Sequence, residues 1–117
     1  MNAPANPPFA YPGLDRVFHE RARLGIVTSL AGRADGLSFT ELKQLCGVTD
    51  GNLNRHLQVL EEAGHVSLAK QTEGRRPQTR IRLTEAGRAS FAAYLAELEQ
   101  VLVEARFAAA QAKGQPA

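Results

Sequence analysis

The sequence predicts a mainly α fold with a small β-hairpin, an α+β class in which a helical lobe leads through the hairpin to one long C-terminal helix. Three observations predict it. Apolar residues recur every three or four positions in four separate stretches, the mark of helices with one buried side. Between Val66 and Leu83 the spacing drops to two, the mark of strands. The chain has 117 residues, 44% of them hydrophobic, which is enough for one core and too short for two.

The elements follow in order. Residues 1–13 are rich in proline and read as an extended, mobile arm; the folded domain is expected over residues 14–110, with a frayed tail over 111–117. Leu14, Val17, Phe18, Leu24, Val27, Leu30 and Ala31 predict a first helix from Leu14 to near Gly32 or Gly36. Its other face, with Arg16, Glu20, Arg21 and Arg23, is expected in solvent. Gly25 inside that helix costs about 1 kcal/mol relative to alanine unless a neighbouring helix packs into the space.

Ser38 followed by Glu41 forms a capping box for a second helix, given an apolar side by Phe39, Leu42, Leu45 and Cys46 and stopped by Gly47. Only Val48 separates this stop from Thr49, an N-cap for a third helix with Asp50 in its first turn. Leu53, Leu57 and Leu60 pack that helix, and Gly64 closes it. Thr49, Asp50, Gly51, Asn52, Asn54, Arg55 and Gln58 then lie outside the apolar stripe. Arginine can donate paired hydrogen bonds to guanine, and asparagine or glutamine can pair with adenine, in the major groove of DNA; Thr49 and the helix N-terminus suit phosphate. The other reading of this face is a plain solvated surface.

Val66 and Leu68 share one side of the first predicted strand, Ile81 and Leu83 one side of the second, and residues 72–78 join them. The formal net charge is only +2, but it is unevenly spread. Lys70, Arg75, Arg76, Arg80 and Arg82 face the single acid Glu73 across this hairpin, a local excess of four positive charges. Arg75 and Arg76 at the tip suit a minor groove or the phosphates beside it, with Lys70 and Arg80 as further candidates; the alternative is charge that blunts exposed strand edges. Thr84 caps a fourth helix running to about Ala110. Phe91, Tyr94, Leu95, Leu98 and Leu102 give it more apolar surface than so small a domain can cover, which predicts self-association.

This order of elements is that of a winged helix-turn-helix, and particular runs carry a family resemblance. Leu37-Ser38-Phe39-Thr40-Glu41-Leu42, Val48 to Leu57, Leu60-Glu61-Glu62-Ala63-Gly64-His65-Val66, Gly74-Arg75-Arg76-Pro77 and Arg82 to Arg88 are similar to the small winged-helix regulators of the MarR and ArsR families. The resemblance spans roughly Leu14 to Leu102. It implies a DNA-binding transcriptional regulator, most often a repressor, acting as a homodimer on double-stranded DNA. The first and last helices would pair through Leu14, Phe18, Phe91, Tyr94, Leu95, Leu98 and Leu102, setting the two third helices into successive major grooves of an inverted repeat. In the MarR kind, a small-molecule pocket lies between the DNA-binding lobe and the dimer helices; Phe18, Phe91 and Tyr94 could line one here or could simply be core. No motif specifies an inducer.

Other classes fit less well. A glycine-rich phosphate loop, a nucleophile beside a base and paired acids are all missing from the sequence, so no enzyme is expected and no cofactor is called for. His19, His56 and His65 are scattered and Cys46 has no second cysteine, which argues against a metal site. Cys46 could act as a redox switch, but its spacing fits a small buried hydrophobe. No stretch of about 18 apolar residues could span a bilayer, and residues 1–8 do not have the layout of a secretion signal, so a cytoplasmic protein with no membrane partner is expected. The surviving rival is a winged-helix module that docks protein instead of DNA.

Overall fold

The computed structural model describes residues 7–114; the outer part of the expected arm and the last three residues of the expected tail lie outside them. The elements are α1 (Arg21–Ala31), β1 (Leu37–Ser38), α2 (Phe39–Cys46), α3 (Asp50–Glu62), β2 (Val66–Glu73), β3 (Arg76–Leu83) and α4 (Glu85–Lys113). Together they make an α+β fold of four helices and a small antiparallel sheet.

The first helix begins at Arg21, seven residues later than the apolar spacing predicts. Two carboxylates take local amides instead. Asp15 accepts from Val17 N at 2.8 Å, which sets a turn, and Glu20 accepts from Arg23 N at 2.9 Å, which caps the helix. The spacing nevertheless marks buried positions, because Phe18 is fully buried from the turn while Ile26, Val27 and Leu30 are buried from α1. Arg23, expected in solvent, folds back: its Nε donates to Val17 O at 2.7 Å.

The helix pair forms as its caps dictate. Ser38 and Glu41 make both bonds of the capping box, at 3.1 and 3.0 Å. Gly47 takes the left-handed conformation (φ 64°) that ends α2, and Thr49 caps α3 by accepting from Asn52 N at 3.2 Å. Leu45, expected on the apolar side of α2, is instead 65% exposed, leaving Leu42 as the buried residue with Phe39 and Cys46 partly covered.

The sheet has three strands in the order β1-β3-β2, one more than the expected hairpin. Leu37 pairs with Ile81 and Ser38 with Arg80, a contact invisible to periodicity because a strand of two residues has none. Gly36 makes it possible: at φ +83° its α-carbon lies so close to Ile81 O that a side chain could not fit. The connection between β2 and β3 is also tighter than expected. Glu73 pairs with Arg76, so only Gly74 and Arg75 form the turn, and Gly74 at φ +66° supplies the first central residue that a type II′ hairpin turn requires. Pro77 sits in β3 beyond the reach of β1, where the strand has a neighbour on one side only and tolerates a proline.

Leu37, Val66, Ile81 and Leu83 from the sheet meet Leu53, Leu57 and Leu60 from α3 and Phe91 and Tyr94 from α4 in one core. Phe18 is at its aromatic centre, with ring centroids 5.4 Å from Phe91 and 5.7 Å from Tyr94 and a 4.4 Å stack on His65. The segment from Pro7 to Gly13, expected within a mobile arm, lies against α4. Tyr11 Oη donates to Glu104 Oε1 at 2.8 Å and Gly13 N donates to Glu97 Oε2 at 2.9 Å. That bond to Glu104, with burial adding to it, raises the Tyr11 pKa above the ordinary 10.

Candidate nucleic-acid interface

Packing sorts the side chains of α3. Leu53, His56, Leu57 and Leu60 turn inward and are buried, whereas Asp50, Gly51, Asn52, Asn54, Arg55 and Gln58 are exposed, as is the Thr49 cap. The exposed set is not uniformly free. Asp50 Oδ1 meets Lys43 Nζ of α2 at 2.8 Å, which clasps the two helices across their short turn. Gln58 Nε2 donates to Glu62 Oε1 and Arg55 Nη2 to Asn52 Oδ1, both at 3.3 Å. Asn54 differs from both, since its amide bonds to no side chain among the described residues.

A partly buried contact bears on how α3 sits. The Arg23 guanidinium donates to His56 Nδ1 at 3.2 Å, with Glu20 Oε2 3.8 Å from the same nitrogen. The first turn of α1 and its Glu20 cap are thereby tied to the middle of α3. The Glu20 pKa is lowered, chiefly by its bond from the Arg23 amide. Neither Arg23 nor Lys43 stands out in the sequence, since each partner is distant along the chain or across a helix boundary that spacing alone does not join.

The hairpin presents its charges on two faces. Alternation in register puts Lys70, opposite Thr79, on the side of Val66 and Leu68, and puts Arg76, Arg80 and Arg82 together on the other side. Arg75 occupies the turn, and both Arg75 and Arg76 are exposed. Arg80 lies at the base rather than near the tip, and its Nη1 donates to Gly36 O at 3.2 Å, which holds the loop before β1. Its first task is structural. A cleft of about 360 Å³ opens between Ser38, Phe39 and Thr40 at the start of α2 and Arg76 to Thr79 of β3.

On the fourth helix the structure divides the predicted dimer residues. Phe18, Phe91 and Tyr94 are core residues of the single chain, 0%, 5% and 1% exposed, so a second copy could not reach them. They pack on one another rather than around a ligand space, and burial raises the Tyr94 pKa above 10. Leu14 and Leu98 are partly covered against the core. Leu95 and Leu102 remain exposed, and Val103 and Phe107, which the stripe through Phe91 and Leu102 does not include, are the most exposed large apolar side chains of the described part of the helix at 63% and 66%. Their four-residue spacing is a legible signal of a second apolar ridge.

Helix pair, three-stranded sheet with its ribbon, and long last helix together define the winged helix class. The chain belongs to the winged helix DNA-binding domain family, whose model matches residues 22–102. It is 36% identical over 86 residues to an uncharacterized protein of Methanocaldococcus jannaschii, MJ0432, covering 74% of this chain and 92% of the relative. Among solved structures, the transcriptional regulator homologue from Pyrococcus horikoshii OT3 is similar at a TM-score of 0.70 and 30% identity, over 75% of this chain and 86% of that one. MarR shares the fold at a TM-score of 0.63 and 22% identity, over 78% of this chain and 66% of that one. Among the described residues no helix is long and apolar enough to cross a membrane.

Proposed function

We propose that the protein is a transcriptional regulator, acting chiefly as a repressor, that binds an inverted-repeat operator in double-stranded DNA as a homodimer. A second copy covers the exposed apolar side of α4 around Leu95, Leu102, Val103 and Phe107, and two α3 helices enter successive major grooves centred about 34–36 Å apart. Asn54, Arg55 and Gln58 face base edges, Thr49 and the α3 N-terminus meet phosphate, and Arg75 and Arg76 grip the backbone or minor groove beside them. Repression follows by occupying the promoter.

One observation carries this reading: the exposed face of α3 is rich in amides, carries Arg55, and contributes nothing to the core that its other face fills. The membership of a DNA-binding domain family supports it.

Selection of bound fragments from random duplex DNA, followed by titration at several salt concentrations, tests it. Affinity should fall steeply with salt, and Arg75→Ala or Arg76→Ala should flatten the log–log slope by about one unit for each phosphate no longer neutralised. Binding indifferent to sequence and salt would refute the proposal and favour a protein-docking module.

A further inference from the structure

Two features of the exposed side of α3 are not explained by the fold. Gly51 lies in the first turn of the helix, where its φ is not in the left-handed region and a β-carbon would meet nothing within 4 Å. Neither backbone geometry nor packing calls for glycine there, and alanine holds a helix better. Four residues on, and so on the same side of the helix, Arg55 donates through Nη2 to Asn52 Oδ1 at 3.3 Å. That bond spans solvent-exposed groups and stabilises little by itself.

We infer, building on the DNA-binding reading above, that Gly51, Asn52 and Arg55 form one guanine-reading unit. Guanidinium has five N–H donors and no acceptor, and guanine offers two adjacent acceptors, O6 and N7, in the major groove. With one Nη2 N–H engaged by Asn52, the other donors of the exposed guanidinium stay available for a base, and the bond narrows the rotamers of Arg55 before the base is engaged. Asn52 is therefore a positioning residue. One lone pair of its oxygen is taken by Arg55, which ties its orientation to the guanidinium and leaves adenine recognition to Asn54, whose amide bonds to no side chain among the described residues. The bare α-carbon of Gly51 leaves clearance for the edge of the base pair that Arg55 reads, the use of glycine where a ligand approaches the backbone closely.

The test is a base-pair scan of the selected operator at fixed salt, read with the intact dimer. The wild-type protein should lose roughly 5- to 150-fold in affinity when one G·C pair of a single half-site is replaced. Arg55→Ala should abolish the preference at that pair. Asn52→Ala should weaken the preference at the same pair and add little in combination with Arg55→Ala, whereas Asn52→Asp, which keeps the acceptor, should restore the ratio even if overall affinity drops. Gly51→Ala should melt at or above the wild-type temperature and yet bind the operator at least roughly five-fold more weakly. Gain of fold stability with loss of binding is a pairing that a structural role would not produce. The unit is overturned if Asn52→Ala alters preference at a different base pair, or if Gly51→Ala binds as well as the wild type. If no sequence is selected by the wild-type protein, the DNA-binding reading falls and the unit with it.

Discussion

Gly25→Ala and Gly87→Ala are the same chemical change in two helices, and the structure predicts opposite signs. Alanine in place of a helical glycine gains about 0.5–1 kcal/mol of backbone entropy at either site. At Gly25 nothing opposes the gain, since the nearest atom to an added β-carbon is Cys46 Sγ at 3.9 Å, an ordinary contact. At Gly87 the added carbon would lie 2.8 Å from His65 C and 2.9 Å from its Cα, and closer still to the carbonyl oxygen. Those atoms are backbone and cannot rotate away. The same carbonyl accepts from Thr84 N at 2.9 Å, the bond that seats the start of α4 on the turn after α3. Overpacking of this kind costs about 1–3 kcal/mol, and rigid neighbours put it at the upper end, so the net loss at Gly87 is about 2 kcal/mol after the helix gain. Thermal unfolding followed by circular dichroism at one protein concentration reads both. With about 4–8 °C per kcal/mol for a domain of this order, Gly25→Ala should melt a few degrees higher and Gly87→Ala roughly 8–16 °C lower. A stable Gly87→Ala, or two shifts of the same sign, would refute the contact argument.

Two further outcomes follow from the surface. Leu102→Glu with Phe107→Glu alters side chains that are 45% and 66% exposed, so the chain should keep its native secondary structure while dimer dissociation, measured by sedimentation, becomes at least roughly ten-fold easier for each apolar side chain removed from the interface, with any fall in melting temperature reflecting the lost association; an unaltered dimer would remove α4 from the interface. The Glu41 pKa is lowered from the ordinary 4.5, first by the Ser38 amide it accepts from. Its stabilisation is therefore complete above the unfolded value and lost as pH falls through the lower folded one. Glu41→Gln keeps a capping acceptor without a titration, so the stability of the variant should fall less steeply below about pH 4.5, and an identical acid limb would show that the cap does not contribute.

The three N-caps on Ser38, Thr49 and Thr84 are legible in the sequence because each rests on side chains within three residues of the amide it satisfies. The same logic explains the late start of the first helix. Apolar residues from Leu14 onward keep helical spacing, but Asp15 and Glu20 compete locally for amides, and spacing cannot tell a buried turn from a buried helix. Strand β1 is hidden for a different reason, since two residues carry no period and their partner lies more than forty positions away.

The exposed face of α3 divides along the same line. Which residues of α3 point outward follows from the leucine period, so the exposure of Asn52, Asn54, Arg55 and Gln58 is visible in the sequence. Which of them are free to bond a base is less so: Asp50 meets Lys43 only once the helix pair has formed, whereas Arg55 and Gln58 meet Asn52 and Glu62 within α3 itself, one turn away. Arg23 shows the stronger form of this dependence. From the first turn of α1 its guanidinium joins Val17 of the preceding turn to His56 in the middle of α3, so the angle at which Arg55, one residue before His56, leaves the protein is set partly from outside α3. A change at Arg23 should therefore disturb the presentation of the exposed face although Arg23 does not belong to it, which is the kind of residue that periodicity assigns to solvent and three-dimensional packing reassigns.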